Sequence, residues 1–526
     1  MTGFYLKCEY AECTREERRN RLCIFHLPEK DAGESKEFGD RLLEEKRRAE
    51  DDPTIDKIDF TGFKFPKDFS FEETREFKKN VNFSHAIFEG VTDFYKWKFS
   101  GYAWFDSAVF SRDALFGGAT FSGDVEFYGA KFSGVAWFDN ATFSGQVVFG
   151  GATFSDDVAF RGARFSGYTG FNGAKISGVA WFHGTTFSGD VGFADAVFSG
   201  DALFEGATFS GYARFDGATL IGNSSFVNSK FLADAYFRQT RFSGQVYFTS
   251  TSFRLAIFER TEFSNVSAFR APEESENITS NLLIFYFCVF KKPQLVTFVG
   301  LPLSSLSFLR TDVSKALLVP PSESRSRKPC QHENLILSEQ LLRLTIEPGT
   351  RADSKQEMRS IDLQAARRAV EDYLMEETVI AEYKNLRKSL EGNRMFTEAA
   401  ELFIREMRLT SKRISWKRNP LEPVAHRIYD WISKYGESIN RPAILIVTVP
   451  LVAALLLTYF RLAPSTFDGY LDLLQAVTAV FLQVRSFKDF SFANRVPIWV
   501  EILLRITSLV LFGNLYVAIR RRLERK

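Results

Sequence analysis

Phenylalanine recurs along the middle of this chain at alternating intervals of five and six residues, from Phe105 through Phe110, Phe116, Phe121, Phe127 and onward, almost unbroken, to Phe253. The repeating unit has the form F-x-G-A-x-F-S-G-x-V/A-x, as in Phe127-Tyr-Gly-Ala-Lys-Phe132-Ser-Gly-Val-Ala-Trp. A fixed short period of this kind dictates a solenoid, because each unit can bury its apolar side only against its neighbours. Two successive Phe at this spacing cannot face the same way along one extended strand, so a turn lies between them. The Gly two positions after most Phe supplies that turn, since Gly tolerates positive φ. Four such sides close a coil of twenty-two residues, and coils stack at the strand spacing of about 4.8 Å.

That register predicts four interior ladders. One runs through Phe105, Phe127, Phe149, Phe171, Phe193, Phe215 and Phe237, and another through Phe116, Phe138, Phe160, Phe182, Phe204, Phe226 and Phe248. The ladder through Phe110, Phe132 and Phe154 carries two aliphatic replacements, Ile176 and Leu220. Ala119, Ala130, Ala141, Ala152, Ala163 and Ala174 mark a small inward position two residues before every second Phe. Stacked Phe with small residues at the tight approach leave a dry interior with no ligand cavity. Function is therefore expected on the outer surface or at the ends.

With these motifs the chain resembles the pentapeptide-repeat superfamily in its Phe-centred form, over residues 55–318 and most clearly from Phe83 to Phe269. The resemblance implies a right-handed quadrilateral β-helix (β-solenoid), with the central aromatic and the preceding small residue pointing inward. The departure is the alternate six-residue unit, whose extra residue is expected to bulge at a corner. Eight or nine coils give a rod of roughly 40 Å. Some members of the superfamily mimic DNA through a strongly acidic rod. Between Phe99 and Phe263 this chain has fifteen Asp or Glu against eleven Lys or Arg. With a net charge of only +2 overall, no nucleic-acid partner is expected. Trp104, Trp137 and Trp181 each directly precede a Phe and should point outward, as candidates for contact with an unidentified protein partner.

The chain has 526 residues, so further domains are expected around the rod. Three of its five Cys lie in the first 23 residues, where Cys8, Cys13, Cys23 and His26 read C-x4-C-x9-C-x2-H. Three thiolates and an imidazole suit a closed tetrahedral structural zinc, whose binding would supply folding energy to a knuckle at 1–30 too small for its own core. Residues 31–54 are strongly charged and read as a solvated linker helix. After the rod, 319–360 reads as a second linker, with Pro, Ser and charge over 319–333. Residues 361–418 read as two antiparallel helices, with Val379, Tyr383, Leu386 and Leu390 on the first, a break at Glu391-Gly392-Asn393, and Phe396 to Met407 on the second. This segment resembles the helical hairpin that follows pentapeptide rods in membrane-anchored proteins, and a lone tetratricopeptide unit; core packing or self-association is its expected role.

Residues 419–441 read as an interfacial segment and 442–526 as a membrane domain, with Trp416, Trp431 and Tyr435 before the first span as interfacial anchors. Residues 442–460 and 498–519 are each long and apolar enough to span a bilayer. The tail Arg520-Arg521-Arg522 sets the orientation by the positive-inside rule, which places both termini, the zinc knuckle and the rod in the cytoplasm. A short apolar helix is expected over 470–484. Span, short helix and span resemble the pore domain of two-span potassium-type channels, in which Thr478 and Gly513 would stand near a pore-helix threonine and a hinge glycine. A carbonyl filter of that kind needs glycines, and none occurs between Gly469 and Gly513. Glu501 and Arg505, four apart, share a helix face; they either pair toward a protein interior or extend to the outer interface. The five His are scattered, with no phosphate loop, nucleophile elbow or paired catalytic carboxylates, so no enzymatic activity is expected. The leading expectation is a membrane-anchored cytoplasmic scaffold or sensor, with an oligomeric ion-channel-like protein as the alternative. In both, the bilayer is a partner and the membrane and helical segments are sites of homo-oligomerisation.

Overall fold

A computed structural model describes residues 15, 22–71, 75–272, 281–321, 336–344, 354–414, 421–460, 467–486, 488, 490 and 496–524. The chain divides between Glu382 and Tyr383 into two compact units.

The first unit is built on the rod. One coil shows its logic: four two-residue strands, Ala103–Trp104, Val109–Phe110, Ala114–Leu115 and Thr120–Phe121, make four sides in turn. Each pairs in parallel with the strand twenty-two residues on, as Ala103 with Val125, Val109 with Lys131, Ala114 with Ala136 and Thr120 with Thr142. We call these the first to fourth sides. The second side has eleven strands, so the rod has eleven coils and is about 50 Å long at the strand spacing. That exceeds the eight or nine expected, because the degenerate coils at both ends also close. Beyond Phe237 the period drops by one residue, with Phe237 paired to Phe258, and the fourth and first sides merge into continuous strands at Lys230–Arg238 and Ser252–Glu259.

The interior follows the predicted ladders. Phe138, Phe160 and Phe182 stack at centroid distances of 4.9 and 5.1 Å, while Phe160 meets Phe149 and Phe171 edge-on at 5.4 Å. Both geometries satisfy the ring quadrupole, which disfavours an eclipsed sandwich. Ile176 and Leu220 take Phe positions on the second side, between Phe154 and Phe198 and between Phe198 and Phe242.

The two kinds of Gly in the repeat do different work. Gly in F-x-G adopts positive φ, as at Gly118 and Gly184, and Ser107, Asn140 and Asp195 take the same conformation elsewhere in the rod. Gly in F-S-G does not. There a Cβ would meet the backbone of the coil below, 2.6 Å from Gly167 O at Gly189 and 2.7 Å from Gly101 C at Gly123. The expectation that these glycines serve positive φ is corrected: they permit close stacking. The six-residue steps turn at this corner, where the carboxylates of Asp124, Asp157 and Asp201 accept the backbone N–H of Gln146, Val179 and Asn223 one coil on, at 2.7–2.8 Å.

A solenoid end exposes unpaired strand edge and a ring face, and both ends are covered by helix. Helix α1 (Ala32–Asp51) starts at a capping box between Asp31 and Glu34. It is no solvated linker: it buries Phe38, Leu42, Lys46 and Ala49. Phe38 packs edge-on against Phe25, Phe63, Phe65 and Phe69, and the Lys46 ammonium lies over Phe77 and Trp97. The wide spacing of its apolar residues among charges hid this face.

At the other end, α2 (Leu337–Leu344) falls within the expected 319–360 linker and α3 (Ser354–Val370) runs from it into the expected hairpin, and Ile336, Leu337 and Leu341 are buried. The run 361–390 is not one helix. It breaks at a 3-10 turn, Glu371–Tyr373, where Tyr373 packs on Tyr286 and Phe287 of the rod, and α4 (Glu376–Gly392) follows. Arg254 of the rod pairs with Asp234 and, at 2.7 Å, with Asp362 of α3.

A buried carboxyl closes this end. Glu382 Oε1 accepts the Phe308 N–H at 2.6 Å and Oε2 accepts the Ser338 hydroxyl at 2.5 Å. Burial pushes its pKa up from 4.5 to about 7. A raised carboxyl pKa stabilises the fold fully below the unfolded value and loses that contribution as pH rises through the folded one. The end cap should therefore weaken between pH 4.5 and about 7. Amide exchange at Phe308 measured across that window checks this; Glu382→Gln should flatten the dependence, and an unchanged profile in that variant would contradict it.

In the second unit α4 pairs with α5 (Phe396–Arg413) in a hairpin, where Arg387 bonds Glu406 at 3.0 Å and lies over Phe403. Next come α6 (Leu421–Ser433), α7 (Asn440–Tyr459), α8 (Phe467–Phe481) and α9 (Ile498–Glu524). Leu457, Leu473, Val477, Phe481, Leu504 and Leu511 form a core shared by α7, α8 and α9.

Candidate functional surfaces

Within one coil, the second residue of a first- or third-side strand faces out. Trp104, Trp137 and Trp181 do so and are half-buried, but they do not form one patch. Trp104 stands on the first side, stacked on Tyr102 at 5.7 Å. Trp137 and Trp181 stand on the third side, two coils apart. Their register runs Leu115, Trp137, Ala159, Trp181, Leu203, an apolar stripe over five consecutive coils.

The small Ala159 leaves a slot between the two indoles. The Arg161 guanidinium fills it, 5.5 Å from the Trp137 ring and 5.6 Å from the Trp181 ring. Arg161 also pairs with Asp139 at 2.8 Å, one coil below. One coil above, His183 stacks on Trp181 at 5.4 Å and its Nε2 lies 2.6 Å from Glu205. The His183 Nδ1 is buried without a hydrogen-bond partner among the described residues. Asp139, Arg161, His183 and Glu205 thus line one edge of the stripe as a column of charge. Sequence reasoning had picked out the Trp residues and missed this column, although its spacing of twenty-two is legible once the coil length is known.

At the start of the rod, Cys23 and His26 come together in a tight turn, with Cys23 Sγ 3.1 Å from His26 Nδ1. His26 Nε2 lies 3.3 Å from the Thr61 carbonyl. Burial is the main cause that lowers the His26 pKa to about 4, so the ring is neutral at pH 7. A neutral imidazole anchored to a carbonyl through one nitrogen, with the other beside a thiol, fits half of a zinc donor set. Cys8 and Cys13 lie outside the described residues, and no group of three or more metal-binding side chains occurs among the described ones. The remaining described Cys, Cys288, is buried against the Phe258 carbonyl at 3.0 Å, and burial pushes its pKa up to about 12.

Two helices, Asn440–Tyr459 and Ile498–Leu523, are long and apolar enough to cross a membrane. Glu501 and Arg505 pair at 2.9 Å. Glu501 also accepts from the Ser486 hydroxyl at 2.9 Å, and Arg505 donates to the Arg485 carbonyl at 2.7 Å. These charges clamp the segment after α8 onto the first turns of α9. Thr478 stands with Leu474 and Gln475 on one face of α8, beside Leu482 just past its end. A Cβ at Gly513 would meet no atom of the described residues within 4 Å, so none of them approaches closely enough to require glycine there. Trp431 is exposed, whereas Tyr435, expected as a second anchor, is buried, edge-on to Tyr429, and its carbonyl accepts from Arg521 at 2.6 Å. Trp416 lies outside the described residues.

Comparison with known proteins meets this geometry in the middle of the rod. The family described as pentapeptide repeats, nine copies, matches residues 76–131, 127–175 and 171–219. The rod is a pentapeptide-repeat solenoid. A curated, uncharacterized protein of Methanocaldococcus jannaschii is 30% identical over 244 residues, which is 45% of this chain and 50% of that protein. The chain thus spans about half the length of the curated relative it matches. No solved structure matches. The pentapeptide match stops at residue 219, whereas the strands continue to Val319. The later coils keep the ladders with shorter or longer steps.

Proposed function

We propose that this protein is a membrane-anchored, non-catalytic scaffold or sensor, in which the third side of the pentapeptide rod presents a binding surface to a protein partner. The observation that carries the reading is the stripe from Leu115 to Leu203 with its Arg161-filled slot. Trp and Arg in an outward cluster are the residue types that dominate binding energy when a partner desolvates them. The two apolar helices supply the anchor, and the basic tail favours a cytoplasmic rod. Only 22% of the apolar window of α7 and of α9 is buried inside the single chain, and lipid and self-association of the membrane segment would cover the rest.

The test compares the full chain with a Trp137→Ala, Trp181→Ala variant in photo-crosslinking from the third side, with folding checked by circular dichroism. Each lost Trp should cost about 2 kcal/mol of binding, roughly thirty-fold in affinity. An identical set of crosslinked proteins from wild type and the folded variant would reject the surface. A channel is the second reading, favoured by the short apolar helix α8 packed against both α7 and α9. The same chain in proteoliposomes is expected to hold a potassium gradient under the scaffold reading, and flux altered by Glu501→Ala would favour the channel.

Zinc in the N-terminal knuckle is part of the proposal, held by Cys8, Cys13, Cys23 and His26. Bound metal would fix the turn at Cys23 to the start of the rod. One equivalent of zinc is expected in the purified, reduced protein and its loss in Cys23→Ser; metal-free protein with all four side chains intact would refute it.

A further inference from the structure

Helix α6 has two faces. On one face Pro423 and Ser433 are buried and Asp430 pairs with Arg408 of α5 at 2.9 Å, while Ile432, one turn after Ile428, is buried in the core shared by α7, α8 and α9. The opposite face carries Leu421, Val424, Ile428 and Trp431, which are 77, 39, 47 and 65% exposed. Their spacing of three, four and three residues sets them on one stripe of a helix. A water-facing stripe of this composition is unfavourable, and within the second unit nothing among the described residues covers it.

The position of α6 says what does. Its C-terminal end is joined to the start of α7, where Arg441 donates to the carbonyls of Asp430 and Trp431 at 3.4 and 3.3 Å. It is also joined to the basic end of α9. Ser433 donates to Asn514 at 2.8 Å, and Arg521 bonds the Tyr435 carbonyl and, at 3.1 Å, Glu437. So α6 lies at the end of both spans that carries Arg441 on α7 and Arg520, Arg521 and Arg522 on α9. An amphipathic helix at the level where two spans leave the hydrocarbon, with Trp on its apolar face and Arg427 beside it, has the chemistry of a bilayer interface.

We infer that α6 lies in the surface of the membrane leaflet nearest the basic tail, with Leu421, Val424, Ile428 and Trp431 in the boundary between headgroups and acyl chains and the arginines among anionic phosphates. This rests on the reading that α7 and α9 cross a bilayer. The helix would then fix the height at which the chain N-terminal to it leaves the membrane.

The test places an environment-sensitive fluorescent amino acid at Ile428 and, separately, at Leu455 of α7, in the full chain reconstituted into phosphatidylcholine–phosphatidylglycerol vesicles. At Ile428, quenching by lipids with a doxyl group near the headgroup should exceed quenching by aqueous iodide by about two-fold or more, with blue-shifted emission. At Leu455, deep doxyl groups should quench best. Iodide quenching at Ile428 with a lipid-quenched Leu455 overturns the inference and leaves the spans standing. A site at Ile428 shielded from both quenchers is covered by protein, and also overturns it. Iodide quenching at both sites rejects the membrane reading itself.

Discussion

Phe160→Ala is expected to destabilise the rod by about 3–5 kcal/mol, the cost of a large cavity in a packed core. The ring is fully buried, stacked between Phe138 and Phe182 and met edge-on by Phe149 and Phe171. Collapse around the gap is limited, because every neighbour is itself held by a ladder above and below. Coils contact only adjacent coils, so the loss should appear as a split unfolding transition rather than a uniform shift. Denaturant unfolding of the full chain in detergent, followed by circular dichroism, reads this. Phe160→Leu should cost only about 1 kcal/mol, since Ile176 and Leu220 already take Phe positions in the ladder of the second side. Equal effects of Ala and Leu would show that ring packing is not what holds the coils.

Gly189→Ala should cost about 3 kcal/mol, at the upper end of overpacking penalties. Its Cβ would lie 2.6 Å from Gly167 O and 2.7 Å from Gly167 C, both backbone atoms that cannot swing aside. Gly184→Ala is the contrast. It has positive φ but open space, with nothing within 4 Å of the added carbon. It should cost about 1 kcal/mol, the left-handed penalty alone. Asp195 and Asn140 occupy the same position in other coils with φ of 55° and 56°, which shows that the backbone accepts side chains there. The two variants differ by one methyl group each and lie five residues apart, so their melting curves isolate coil-to-coil approach from turn conformation. A larger loss at Gly184 than at Gly189 would reverse the assignment of the two glycine classes.

The rod was legible because its determinants are local and repeated. A Phe every five or six residues fixes the coil, its register and its ladders, and outward Trp followed from the strand alternation. The function of each Gly was not legible: F-x-G and F-S-G look alike in sequence, and only the distance to the coil below separates a turn from a close approach. The candidate surface was half legible. Trp137 and Trp181 stood out by type, while Arg161 mattered only once Ala159 was seen to open a slot between them.

The ends of the rod defied the sequence for the same reason. Phe38 and Leu42 sit in a charged helix, and Tyr373 interrupts a run that local preference would keep helical; both follow contacts with distant residues. Arg254 and Asp362, or Glu382 and Phe308, are brought together by the tertiary fold across separations that no short period records. By itself, then, the sequence determined what repetition and composition can encode: a Phe-cored solenoid and two helices apolar enough for a bilayer. Tertiary structure alone decided where the solenoid stops, because its last coils expose ring faces and strand edges that are satisfied by non-repeating helices chosen through long-range packing.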